Sequence, residues 1–146
     1  MEESISLLKK LQKEFECEEV DIRNYSPLTL AFLGDCVFDL MIRTVIVERG
    51  NRAAESLHKK KSTIVKAQTQ AKMAEILLDE LSEEEMAVYK RGRNAKSYST
   101  AKNASVTDYR KATGFEALLG FLYLQNKEDR MIELVKMALE QMEMEI

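Results

Sequence analysis

The chain has 146 residues and a mass of 16.8 kDa, enough for one domain and too few for two of ordinary size. Apolar residues make up 45% and charged residues 32%, and a single proline with five glycines argues against a turn-rich β-sandwich or barrel. The net charge of −3, taken alone, argues against a nucleic-acid protein, whose domain is often strongly basic.

Ile5, Leu7, Leu8, Leu11 and Phe15 recur at helical spacing and predict an amphipathic helix over residues 4–16. Residues 18–25 read as a loop. Ser26 and Pro27 read as the N-cap and first position of a second helix, which runs through LTLAFLGDCVFDLMIRTVIVER and stops at Gly50. That helix is apolar on nearly every face and must be buried on more than one side, for which a subunit interface is the natural place. From Arg52 to Leu81 the pattern is helical again, with a break expected near Ser62 and Thr63.

Ser82 and Glu85 form a capping-box pattern that opens a short helix reaching about to Lys90. The stretch RGRNAKSYSTAKNAS then reads as a long exposed loop, a kind of segment that in a compact domain is usually functional or disordered. Ser105 or Thr107 caps the next helix, which ends at Gln125, and Asn126 marks a turn. A last helix over residues 127–144 carries Met131, Leu134, Val135, Ala138, Leu139 and Met142 on one face. With no internal repeat and no defensible strand, the expected fold class is all-α.

Cys17 and Cys36 lack CxxC spacing and read as reduced thiols in helical, apolar-flanked settings. Two cysteines and the single His58 are too few for a structural zinc site. The first ten residues do not resemble a signal peptide, and the longest apolar run, Ala117 to Leu124, is eight residues. The expectation is a cytoplasmic protein.

Charge is unevenly spread. Residues 59–72 carry +5 with no acid, residues 90–111 carry +6, and the rest of the chain carries −14. A single charge run is usually a solvated face, but two basic segments holding one acid between them are harder to dismiss. Lys59 and Lys60 in the first, and Lys90, Arg91, Arg93, Lys96 and Lys102 in the second, are candidates to track a phosphate backbone. Tyr98 either stacks on a base or is a solvent-exposed ring.

Asp35 and Glu116 each stand alone inside an apolar helical run. A buried unpaired carboxylate is costly or becomes neutral, so each needs a partner. Gly34 precedes Asp35, while Gly114 and Gly120 flank Glu116, and a helical glycine costs about 1 kcal/mol relative to alanine. Close helix crossing is the usual reason for such glycines, and helices crossing there would bring the two carboxylates together. Opposed carboxylates repel unless a cation lies between them, and hard oxygen ligands select Mg²⁺ or Mn²⁺. A divalent metal beside a phosphate-binding surface points to metal-assisted phosphodiester hydrolysis. Asp39, one turn beyond Asp35, either supports that metal through water or simply faces solvent. His58 adjoins three lysines and reads as part of the basic face rather than as a catalytic base.

LAFLGDCVF resembles the EFLGDAVL-type signature of the ribonuclease III family, and TGFEALLGFLYL resembles its D-x-x-E-A-L-x-G block, in matching order and separation. LHKKKSTIVKAQTQA and KRGRNAKS are similar to the short bacterial class, Mini-III, and the chain has no room for an appended double-stranded-RNA-binding domain. The resemblance spans residues 26–126. It implies a single ribonuclease III-like catalytic domain over residues 1–146 that forms a homodimer, with the Asp-bearing helix helping to build the interface. It also implies Mg²⁺-dependent cleavage of double-stranded RNA with Asp35 and Glu116 as catalytic metal ligands, and 5′-phosphate and 3′-hydroxyl products. Maturation of the 23S ribosomal RNA precursor is the implied role, with ribosomal proteins as further candidate partners. Larger family members have four acids in the site; here Ala31 and Thr113 stand at two of those positions, and Asp39 and Thr113 are candidates to support the ligands. The reduced acid set leaves open a non-catalytic RNA-binding or ribosome-assembly dimer, and the basic loop leaves open a helical DNA-binding protein.

Overall fold

The computed structural model describes residues 6–95 and 105–146. Among these residues the chain forms α1 (Leu7–Glu14), α2 (Pro27–Glu48), α3 (Ala54–Val65), α4 (Ala67–Leu77), α5 (Glu83–Asn94), α6 (Val106–Leu124) and α7 (Glu128–Gln141), with short 3-10 turns at Ile22–Asn24 and Leu78–Glu80 and no strand. The all-α expectation holds. Helix starts follow the capping chemistry: the Ser26 hydroxyl accepts from Thr29 N–H with Pro27 in the first turn, and the Ser105 hydroxyl accepts from Asp108 N–H, which makes Ser105 rather than Thr107 the cap. Asn126 holds the turn before α7 with φ 59°.

Three boundaries differ from expectation. α5 continues past Lys90 to Asn94, so Lys90, Arg91 and Arg93 ride on a helix rather than a loop. Its capping box is complete, Glu83, Glu84 and Glu85 open it, and Arg91 and Arg93 close it, which suits the helix dipole at both ends. The break between α3 and α4 falls at Lys66, whose backbone is extended, and not at Ser62 and Thr63. Side chains of α4 take up the carbonyls this break frees: Thr69 donates to Thr63 O at 2.8 Å and Gln70 donates to Val65 O at 2.7 Å. Cys17 lies beyond the end of α1 rather than in a helix, and Cys17 and Cys36 are both exposed and unpaired.

α6 is the central helix. Residues 112–115 and 117–122 are buried, and it packs most extensively against α2, then α5 and α4. Backbone contact at glycines makes this possible. A Cβ on Gly34 would lie 1.7 Å from the carbonyl oxygen of Glu116, and one on Gly120 would lie 2.0 Å from that of Leu30. On the other side of α6, a Cβ on Gly92 of α5 would meet Gly114 Cα at 2.9 Å. Phe38 and Phe115 extend the α2–α6 contact edge to face, with centroids 5.2 Å apart.

α2 is covered on one side only. Leu30, Ala31, Gly34, Val37, Phe38, Ile42 and Ile46 form its buried stripe, while Phe32 is 83%, Leu40 58% and Val47 57% exposed. The all-round burial expected of this helix is therefore not met within one chain. Elsewhere, Glu85 and Arg130 tie the start of α5 to α7 through two hydrogen bonds of 2.8 and 2.9 Å, and Arg130 also donates to Glu80 O.

Candidate active site

The glycine crossing decides where the two singled-out carboxylates lie. Gly34 touches the backbone of Glu116, and Asp35 follows Gly34 directly, so the carboxyl groups come within hydrogen-bonding range of each other. Asp35 is exposed and Glu116 half-buried. The expectation that both are buried fails for Asp35, which solvent reaches although it lies on the side of α2 that meets Glu116. Burial pushes the Glu116 carboxyl up to about 9, and the hydrogen bond and charge of Asp35 add to that rise. Gln70 opposes it by hydrogen bonding to the carboxyl. In the absence of a cation, Glu116 thus holds a proton at neutral pH.

Gln70 was not apparent from the sequence. It is 2% exposed, and its Oε1 is the one buried side-chain polar atom among the described residues without a hydrogen-bond partner. The available signal was its place on the buried stripe of α4 with Met73, Ala74 and Leu77, where a polar side chain needs a reason.

The remaining candidates distribute as follows. Asp39 is engaged by two cations, Arg43 at 2.7 Å and Lys61 at 3.8 Å, and is half-buried rather than simply solvated. Thr113 is buried, and its hydroxyl donates to Tyr109 O within α6. Ala31 is buried in the core. Among the described residues no group of three or more His, Cys, Asp or Glu side chains is arranged around a cation. The oxygen donors at the crossing are the two carboxylates, which fit a hard divalent ion whose shell water or phosphate completes.

On the basic side, Lys90 and Arg91 are exposed at the end of α5, and Arg93 lies over the Tyr89 ring at 5.8 Å. Gly92, between them, rests on Gly114, two residues from Glu116 along α6, so this basic helix end is attached to the same helix as the carboxylate. Lys59 is exposed on α3 within 3.9 Å of Glu55, and Lys60 is half-buried. His58 is exposed and lines a small pocket with Arg43 and Lys61. Lys96, Tyr98 and Lys102 lie outside the described residues. A groove of about 790 Å³ between α2, α7 and the C-terminal residues is lined by Leu40, Met41, Ile132, Leu139 and Ile146, and includes neither Asp35 nor Glu116. No described helix is long and apolar enough to cross a membrane.

An all-helical chain with two acids opposed at a glycine crossing and a basic helix end nearby is the arrangement expected of a phosphodiester-cleaving protein. Residues 28–127 match the family model of the ribonuclease III domain. The chain belongs to the ribonuclease III family, and by class it is an endoribonuclease. It stands with the family's short class: it is 43% identical over 133 residues to a Mini-ribonuclease 3 of Clostridium tetani, covering 88% of each chain. It is 46% identical to one of Brevibacillus brevis, covering 88% of this chain and 94% of that one. A crystal structure of a Fusobacterium nucleatum protein superimposes with a TM-score of 0.75 at 32% identity, covering 84% of this chain and 98% of that one.

Proposed function

We propose that the chain is a Mg²⁺-dependent endoribonuclease that hydrolyses double-stranded RNA to 5′-phosphate and 3′-hydroxyl ends, with Mn²⁺ able to substitute. The observation that carries this reading is the meeting of Asp35 and Glu116 across the Gly34–Gly120 crossing. Asp35 and Glu116 hold the cation, and Glu116 gives up its proton to do so. A divalent ion bound there supplies electrostatic stabilisation for charge developing on the phosphodiester. Lys90, Arg91 and Arg93, with Lys59, Lys60, Lys96 and Lys102, hold the RNA backbone. The acting form is a homodimer joined through the exposed apolar face of α2, where Phe32 and Leu40 lie. The cellular substrate is the precursor of 23S ribosomal RNA, in the cytoplasm, with ribosomal proteins as accessory partners.

The test is incubation of a long RNA duplex with Mg²⁺ and the wild type, Asp35→Asn or Glu116→Gln. Cleavage by the wild type alone, lost with a chelator, is the expected result. Equal cleavage by the variants, or none by the wild type, removes the reading. The small acid set, with Ala31 in the core and the Thr113 hydroxyl turned to its own helix, favours one rival: a non-catalytic RNA-binding dimer. Tight duplex binding without Mg²⁺-dependent cleavage would establish it. Preference for duplex DNA in competition would instead establish the DNA-binding reading.

A further inference from the structure

Arg43 of α2 with His58 and Lys61 of α3 line one cavity of about 260 Å³, whose other walls include Ile46 and Leu57. Pockets that take whole organic ligands run from roughly 300 to 1,000 Å³, so this one suits a single small group. Among the described residues no carboxylate lines it. Asp39 stands outside the lining and holds two of the cations. Arg43 Nε donates to Asp39 Oδ2 at 2.7 Å, while Lys61 Nζ lies 3.8 Å from Oδ1, too far for a hydrogen bond. One carboxylate therefore balances one of two fixed positive charges. Among the described residues, neither Nη group of Arg43 nor the Lys61 ammonium has a hydrogen-bond partner. Lys61 is only 15% exposed, so most of its stem is packed and its ammonium has little freedom to swing away.

We propose that this α2–α3 pocket is a phosphate site that seats a backbone phosphate of the RNA duplex, with Arg43 and Lys61 as donors and His58 at its rim. This rests on the duplex-RNA reading above. A phosphate diester is the group that fits: a small anion whose several acceptor oxygens match a guanidinium fork and an ammonium. Asp35, Asp39 and Arg43 follow one another at four-residue steps along α2. The pocket thus lies about 12 Å along the helix from Asp35, a span that a duplex lying on the cation site covers within a few nucleotides. Phosphate contacts fix the register of a nucleic acid on its protein, so a phosphate seated here sets which bond of the strand faces Asp35 and Glu116. Lys59 and Lys60 beside it supply charge, whereas Arg43 and Lys61 are aimed by Asp39.

His58 is the only histidine of the chain, so its ring protons report on the pocket without ambiguity in untagged protein. The test titrates a short RNA duplex into the full-length wild type, with chelator present to hold off cleavage. The His58 ring is followed by NMR, and affinity by fluorescence anisotropy at several salt concentrations. Affinities are also measured for Lys61→Met, Lys61→Arg and Lys66→Met; Lys66 is exposed at the α3–α4 break and does not line the pocket. The expected result is a shifted His58 signal at saturation. Lys61→Met should bind about tenfold more weakly, its log–log salt slope falling by roughly 0.9, while Lys61→Arg and Lys66→Met stay close to wild type. An unmoved His58 signal, with the wild type binding duplex and cleaving it in Mg²⁺, overturns the proposal and leaves the nuclease reading standing. That measurement needs no substitution, so it decides the question even where Lys61→Met fails to fold. Equal losses in Lys61→Met and Lys66→Met also overturn it, since that is the mark of diffuse charge. A His58 signal moved by inorganic phosphate and not by the duplex overturns the RNA assignment in favour of a free anion. A wild type that neither binds nor cleaves the duplex overturns the nuclease reading and this proposal with it.

Discussion

The Cα of Gly34 rests against the main-chain carbonyl of Glu116, so close that a methyl group on Gly34 would sit 1.7 Å from that oxygen. The contact is between backbones, and side-chain rearrangement cannot relieve it. Alanine in mid-helix normally gains about 1 kcal/mol over glycine. At Gly34 and at Gly120, where the obstacle is Leu30 O, the sign reverses. Gly34→Ala and Gly120→Ala are each expected to lose about 3 kcal/mol in urea unfolding. A neutral or stabilised alanine variant would show that the helices can separate without cost.

The proton on Glu116 sets a pH dependence. Its folded value of about 9 lies above the ordinary 4.5, so between the two the native state holds a proton that the unfolded chain has released. Stability from this group is therefore lost as pH rises through that window. In chelator, the wild type is expected to weaken steadily from about pH 5 to pH 9, and Glu116→Gln to show a flatter profile. Mg²⁺ should restore the wild type at the alkaline end. Denaturant midpoints across this range check the slope, and parallel profiles for the two proteins would count against it.

Glu85 behaves with the opposite sign. Hydrogen bonds from Arg130 come first among the causes that hold its carboxyl below the usual 4.5. Its contribution is present above that value and lost as pH falls through the lowered one. Arg130→Met leaves a nearly buried carboxylate unpaired and is expected to cost about 3 kcal/mol at neutral pH. The gap between wild type and variant should shrink below pH 4.5. A gap of constant size would mean that packing by the arginine stem, not its charge, ties α5 to α7.

The end of α5 should govern RNA affinity through charge. Lys90 and Arg91 are exposed, whereas Arg93 lies over the Tyr89 ring, so its removal would mix a packing change with the charge change. Lys90→Ala with Arg91→Ala should weaken duplex binding and flatten its salt dependence, the log–log slope falling by roughly 0.9 for each phosphate no longer neutralised. An identical slope would show that this helix end does not touch the RNA backbone.

The uncovered face of α2 predicts association. Phe32, at 83% exposure, is the most exposed large apolar side chain among the described residues. Phe32→Glu is expected to convert a dimer to a monomer in sedimentation without lowering helicity. A wild-type monomer would leave that face unexplained.

Much of this molecule is legible in its sequence because local chemistry dictates it. Ser26 with Pro27, Ser82 with Glu85, and Ser105 start helices through short-range hydrogen bonds. The glycines around Asp35 and Glu116 signalled a close crossing, since a helical glycine has few other uses, and the two carboxylates do meet there. Other features depend on what packs where. α5 outruns its expected end because Gly92 finds Gly114 on α6, a contact no local pattern encodes. Asp35 is exposed although it meets Glu116 of α6, and Asp39 is taken up by Lys61 from a different helix. Gln70 looked like any polar residue until α4 turned it inward beside Glu116.

The sequence by itself determined the helices, their caps, the uneven charge and the two acids, because each depends on neighbours within a few positions. Only the tertiary structure decided which acid is exposed, which carries a proton, and which uncharged amide stands behind it. Those properties follow from desolvation and from packing between helices distant in the chain, and they exist only once α2, α4 and α6 are brought together.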